Sequence, residues 1–140
     1  MSEIDYNKLF TYLKNNEMEE FKLYFNNIIK SNENIDLNLR DDTNEYLLYY
    51  TILFNRLDLV KLLVENGAKI DIIDSEDRGI LYLSIKYGYD KITEYLLEKN
   101  KDIIGINILD IKDKKKKNTF TLCNSKKKNK YYKQIIRIWF

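Results

Sequence analysis

Apolar residues recur along this chain at the three-and-four spacing of a helix face, and strand-like alternation is scarce. The clearest stripe is Leu59, Val60, Leu63 and Val64, which predicts a helix over 57–66. Before it, 46–54 predicts a shorter helix, and Asn55 with Arg56 predicts the turn joining the two. Gly67 stands just past the second helix, where a left-handed residue closes the last turn. An extended loop over 68–77 follows, and then the pattern returns. Helices are predicted over 80–87 and 90–99 with a turn at Gly88, and Asn100 takes the closing position that glycine held before.

The return has a fixed spacing of 33 residues. Asp41 recurs as Asp74, Leu48 as Leu81, Tyr49 as Tyr82, Asn55 as Gly88, Leu59 as Ile92 and Leu63 as Leu96. A period of this length marks one supersecondary unit stacked on copies of itself, because a lone unit leaves its apolar face in water. The predicted fold class is all-α: a solenoid of helix-turn-helix repeats with an irregular C-terminal tail.

The stretch NRLDLVKLLVENGAKID (55–71) resembles the second helix and following loop of the ankyrin repeat family. GYDKITEYLLEKNKDI (88–103) is similar but degenerate. The family's first-helix signature, T-P-L-H-x-A, keeps only its Leu and its small sixth residue, in YLLYYT (46–51) and GILYLS (79–84). The resemblance implies an ankyrin-like solenoid whose loops project sideways as β-hairpin fingers. Finger tips and first helices would then form a concave recognition surface. The Thr and His that brace the family's turns are missing, and a tyrosine hydroxyl at 49 and 82 is expected to replace the imidazole in part.

A shift of 39 rather than 33 aligns the N-terminus, placing Leu9 under Leu48, Asn16 under Asn55, Phe21 under Val60 and Phe25 under Val64. The six extra residues are expected in a longer polar loop at 30–34. The domain reading is an atypical capping repeat over 1–38, an ankyrin-like repeat over 39–71, a degenerate one over 72–106, and the start of a further repeat within 107–140.

Charge divides the chain. Residues 1–112 hold 14 Lys and Arg against 21 Asp and Glu, or −7, while 113–140 hold 10 against the single Asp113, or +9. After Asp113, which falls in the slot of Asp41 and Asp74 behind another six-residue insertion, periodicity is lost in the lysine run 114–117. Back-translated and moved one base forward, 118–124 can read T-P-L-H-Y-A-I, and 129–139 can read as an ankyrin second helix ending in glycine. That glycine falls 26 residues after Asp113, as Gly67 does after Asp41. Residues 118–140 are therefore read as a frameshift product, with the stack expected to continue beyond them. Taken at face value, the clusters at 114–117 and 126–130 would instead suggest binding to nucleic acid or an anionic membrane.

Enzymatic chemistry is poorly supplied. The chain has no histidine, its lone Cys123 has no activating partner, and its four glycines form no phosphate-cradling loop. No cofactor, metal or small-molecule substrate is expected. A polar start and no long apolar run predict an intracellular protein, cytoplasmic by default, and a monomer is expected. The partner-facing candidates are the finger residues Asp41, Asp42, Asn44, Asp74, Glu76, Asp77 and Arg78, together with Tyr50. Against this, Asp and Asn also favour turns because they satisfy nearby backbone amides. Of the tyrosines, Tyr24, Tyr49, Tyr82 and Tyr95 sit at repeat-equivalent, packing positions, while Tyr50 and Tyr87 are expected to be freer. Acidic fingers would favour a basic protein partner.

Overall fold

The computed structural model describes residues 3–100 and 112–115. It divides after Lys69 into two compact units. The first carries α1 (Tyr6–Lys14), α2 (Met18–Lys30), α3 (Leu47–Leu53) and α4 (Leu57–Glu65); the second carries α5 (Ile80–Lys86) and α6 (Asp90–Asn100). The described residues contain helices and isolated bridges but no strand, so the architecture is all-α, built from successive helix hairpins. None of these helices is long and apolar enough to cross a membrane.

The three hairpins share one turn. Asn16, Asn55 and Gly88 stand between their helices at φ 57°, 57° and 74°. This left-handed conformation suits Gly and Asn, whose short side chains avoid the clash that Cβ branching brings. Each turn is closed by the same pair of bonds. Asn16, Asn55 and Gly88 N–H donate to the carbonyls of Leu13, Ile52 and Ile85 at 3.1, 2.9 and 3.1 Å. The next amides, of Glu17, Arg56 and Tyr89, reach back to Tyr12, Thr51 and Ser84 at 2.7, 2.9 and 2.8 Å. Such turn bonds satisfy carbonyls that a helix end leaves open.

The apolar stripes pack inward. In the first unit Leu9, Leu13, Phe21, Phe25, Leu48, Leu59 and Leu63 are buried, and α1 lies against α3. The Phe21 and Phe25 rings stack at 5.7 Å. Ion pairs between Lys22 and Asp58 and between Glu19 and Arg56 tie α2 to the start of α4. In the second unit Leu81, Ile92, Leu96 and Leu97 are buried. Residues 33 apart thus do matching work in their own hairpins. Thr51 Oγ1 donates to Leu48 O at 2.7 Å, and Ser84 Oγ to Leu81 O at 2.9 Å. These bonds account for the small hydroxyl residue retained at the sixth signature position.

Two expectations change. The extra residues of the first hairpin do not all enter a loop: α2 runs for 13 residues against 9 in α4, and Ile28 in its added turn is buried. A helix that gains a buried apolar residue satisfies its backbone better than a longer loop would. Asn100 does not close α6 in a left-handed conformation either; it is itself helical and buried.

Candidate functional site

Each finger is a tight turn closed by one antiparallel bridge, Arg40 to Tyr46 and, 33 residues on, Ile73 to Gly79. An aspartate builds the turn from inside. Asp41 N–H donates to Glu45 O, and its Oδ1 accepts from Thr43 N and Glu45 N at 3.0 and 2.9 Å. Asp74 repeats the arrangement: its N–H donates to Arg78 O, and its Oδ1 accepts from Glu76 N and Arg78 N at 2.9 and 2.8 Å. Asn44 and Asp77, at φ 64° and 61°, complete the two turns.

The second carboxylate oxygen differs between the copies. Asp41 Oδ2 accepts from Tyr50 Oη and pairs with Lys14 Nζ of α1 at 3.1 Å. Asp74 Oδ2 accepts from Arg78 Nε at 2.8 Å. Leu83 occupies the position equivalent to Tyr50, so a guanidinium from the finger itself replaces the phenol. Burial pushes the Asp41 carboxyl up, yet Tyr50, the Glu45 amide, Thr43 and Lys14 together bring it down to about 2. Tyr50 moves the other way, to about 12, because burial and the facing Asp41 carboxylate both oppose its ionisation.

These placements revise the candidate residues. The side chains of Asp41 and Asp74 are 5% and 1% exposed, so both are internal anchors of their turns rather than groups facing a partner. Tyr50, expected to be free, is 8% exposed with its hydroxyl on Asp41. Tyr50, one residue beyond Tyr49 on α3, thus braces the first finger through its hydroxyl. Arg78 pairs with Asp74 through Nε, with Glu76 3.6 Å away. Asp42, Asn44 and Glu76 are exposed at the tips, Asp77 is half-buried, and Tyr87 is 44% exposed.

One feature near the second finger had no place among the candidates. A cleft of about 420 Å³ is lined by Glu76, Arg78, Tyr82, Lys86, Asp113, Lys114 and Lys115. Asp113 repeats part of the finger geometry, since its Oδ1 accepts from Lys115 N at 2.9 Å, the same two-residue reach as in Asp41 and Asp74. Lys114 N–H donates to Glu76 O at 3.3 Å. Burial and the Asp113 carboxylate raise the Tyr82 hydroxyl above its ordinary range, with Arg78 opposing. The sequence signal for it is the recurrence of aspartate at 113, which the lysine run 114–117 obscures because periodicity is lost there. Residues 116–117, the cluster at 126–130, Cys123 and the frameshift reading of 118–140 lie outside the described residues.

Comparison with known proteins agrees with the repeat geometry. The family model for ankyrin repeats (3 copies) matches residues 9–107. A protein of Acanthamoeba polyphaga mimivirus described as an ankyrin repeat protein, L371, is 37% identical over 109 residues, covering 78% of this chain and 14% of that protein. The nuclear factor NF-kappa-B p105 subunit of Rattus norvegicus is 31% identical over 71 residues, covering 51% of this chain and 7% of that protein. The chain therefore spans only a small part of the length of either relative. Repeat period, turn geometry and sequence similarity converge: this chain belongs to the ankyrin repeat family.

Proposed function

We propose that the chain is a non-enzymatic module that binds a partner protein through its finger tips and first helices. Ankyrin repeats are generally protein–protein interaction modules. The observation that supports this reading here is the buried aspartate in each finger. By holding the turn from within, it fixes Asp42, Asn44, Glu76 and Asp77 in place before any partner arrives. A preorganised surface avoids part of the ordering cost of association.

The chemistry of the partner follows from what remains outside. Asp41 and Asp74 are already neutralised by Lys14 and Arg78, so the case for a basic partner rests on Asp42, Glu76 and Asp77. Asp42 is 86% exposed and holds Lys14 at 3.3 Å, leaving it accessible to a further cation. The domain reading, with repeats over 39–71 and 72–106 behind a capping repeat, belongs to the same proposal.

A photo-crosslinking amino acid placed in turn at 42, 77 and 87, and at 61 and 94 on the second helices, tests the reading. Adducts with one and the same protein from the first three positions and not the last two support it. Adducts from 61 and 94 alone overturn it.

A further inference from the structure

We propose that the cleft beside the second finger binds an acidic segment of a partner protein; this rests on the interaction-module reading and names the partner chemistry of one part of it. Asp113, Lys114 and Lys115 line the cleft together with Tyr82 and Lys86 of α5 and with Glu76 and Arg78 of the second finger. Lys86, Lys114 and Lys115 are exposed, and no described carboxylate pairs with their ammonium groups. Arg78 makes its ion pairs through Nε, which leaves the two terminal nitrogens of its guanidinium as donors. Cations therefore exceed carboxylates in the cleft lining, although residues 1–112 as a whole carry −7.

The mixture of groups separates a peptide from a polyphosphate. Glu76 and Asp113 stand among the lysines as acceptors. A nucleic-acid backbone offers a continuous row of acceptors and would meet both carboxylates with like charge. An acidic peptide offers carboxylates to the lysines and its own backbone N–H groups to Glu76 and Asp113. Tyr82, half-buried with its hydroxyl held neutral, adds a flat apolar face and a hydroxyl donor in the same cleft. The volume of about 420 Å³ suits a few residues of extended chain rather than a folded surface.

The full chain is titrated by fluorescence anisotropy with a labelled decapeptide of alternating Glu and Gly, a Lys–Gly peptide, and a single-stranded oligonucleotide of matching charge. The expected result is saturable binding of the Glu peptide, at least tenfold tighter than either of the others at physiological salt. Lys86→Glu should weaken it tenfold or more with the circular dichroism spectrum unchanged, and Lys114→Glu with Lys115→Glu should do the same. Replacing Lys126, Lys127, Lys128 and Lys130 by Gln should leave it unchanged. Preference for the oligonucleotide, loss of binding on the Gln replacements alone, or no binding of the Glu peptide overturns the proposal. In each of those cases crosslinks from positions 42, 77 and 87 to a protein would leave the wider reading intact.

Discussion

Asp41 and Asp74, 33 residues apart, hold their fingers with the same bond: Oδ1 accepts the amide four residues on, from Glu45 at 2.9 Å and from Arg78 at 2.8 Å. Because both side chains are buried, removing either leaves amide donors without acceptors. Asp41→Ala and Asp74→Ala are each expected to destabilise the protein by about 1–3 kcal/mol. Urea unfolding checks this: the midpoint should fall with little change in slope. Asp42→Ala, at an exposed tip, should move it by less than about 0.5 kcal/mol.

Acid should act on the first finger through Asp41. Its carboxyl lies at about 2 in the folded chain against the model-compound 3.8, so the folded state binds fewer protons between those values. The contribution is present above about pH 4 and is lost as pH falls toward 2, a difference of roughly 2 kcal/mol. Tyr50, raised to about 12, has the opposite sense: its contribution is present below pH 10 and is lost as pH rises toward 12. Unfolding free energy followed from pH 5 to pH 2 should therefore show wild type and Asp41→Asn converging. Parallel curves would contradict the assignment.

Gly88 is needed for its backbone alone. A Cβ there would meet nothing within 4 Å, and φ is 74°. Gly88→Ala should cost about 1 kcal/mol by left-handed strain. Gly88→Asn should cost less, since Asn already holds that turn at Asn16 and Asn55. Thermal melts of the two variants rank them, and a larger loss for Asn would show that the turns are not equivalent.

The buried hydroxyls of Ser84 and Thr93 are coupled, with Thr93 Oγ1 2.9 Å from Ser84 Oγ. Thr93 Oγ1 also reaches Tyr89 O at 2.9 Å, so Ser84→Ala leaves it an acceptor, and either single change removes the same Ser84–Thr93 bond. The double variant Ser84→Ala with Thr93→Val should be less destabilised than the sum of the singles, by about 0.5–1 kcal/mol. A double-mutant cycle in urea measures the difference directly.

The helix hairpins were legible in the sequence because period and turn residues state them locally. Asn16, Asn55 and Gly88 each occupy a left-handed turn that their residue types favour. Side-chain direction at the fingers was not legible. Asp41 and Asp42 are adjacent and chemically identical, yet one is 5% and the other 86% exposed, and only the fold of the turn separates them. The burial of Tyr50 is likewise not written locally, because its partner Asp41 lies nine residues back and Lys14 comes from another helix. The cleft depends on Asp113, Lys114 and Lys115 meeting α5, a juxtaposition no local pattern encodes.

Equivalent residues 33 apart do the same structural work, which backbone amide exchange measured by NMR on the whole chain can read residue by residue. Glu45 and Arg78 amides should both be protected, as should the turn amides of Arg56 and Tyr89. Asp41→Asn should speed exchange at Glu45, and Asp74→Asn at Arg78, each leaving the other finger unchanged. Exchange at Glu45 and Arg78 that is unprotected in wild type, or indifferent to the aspartates, would mean that the two carboxylates do not hold the fingers.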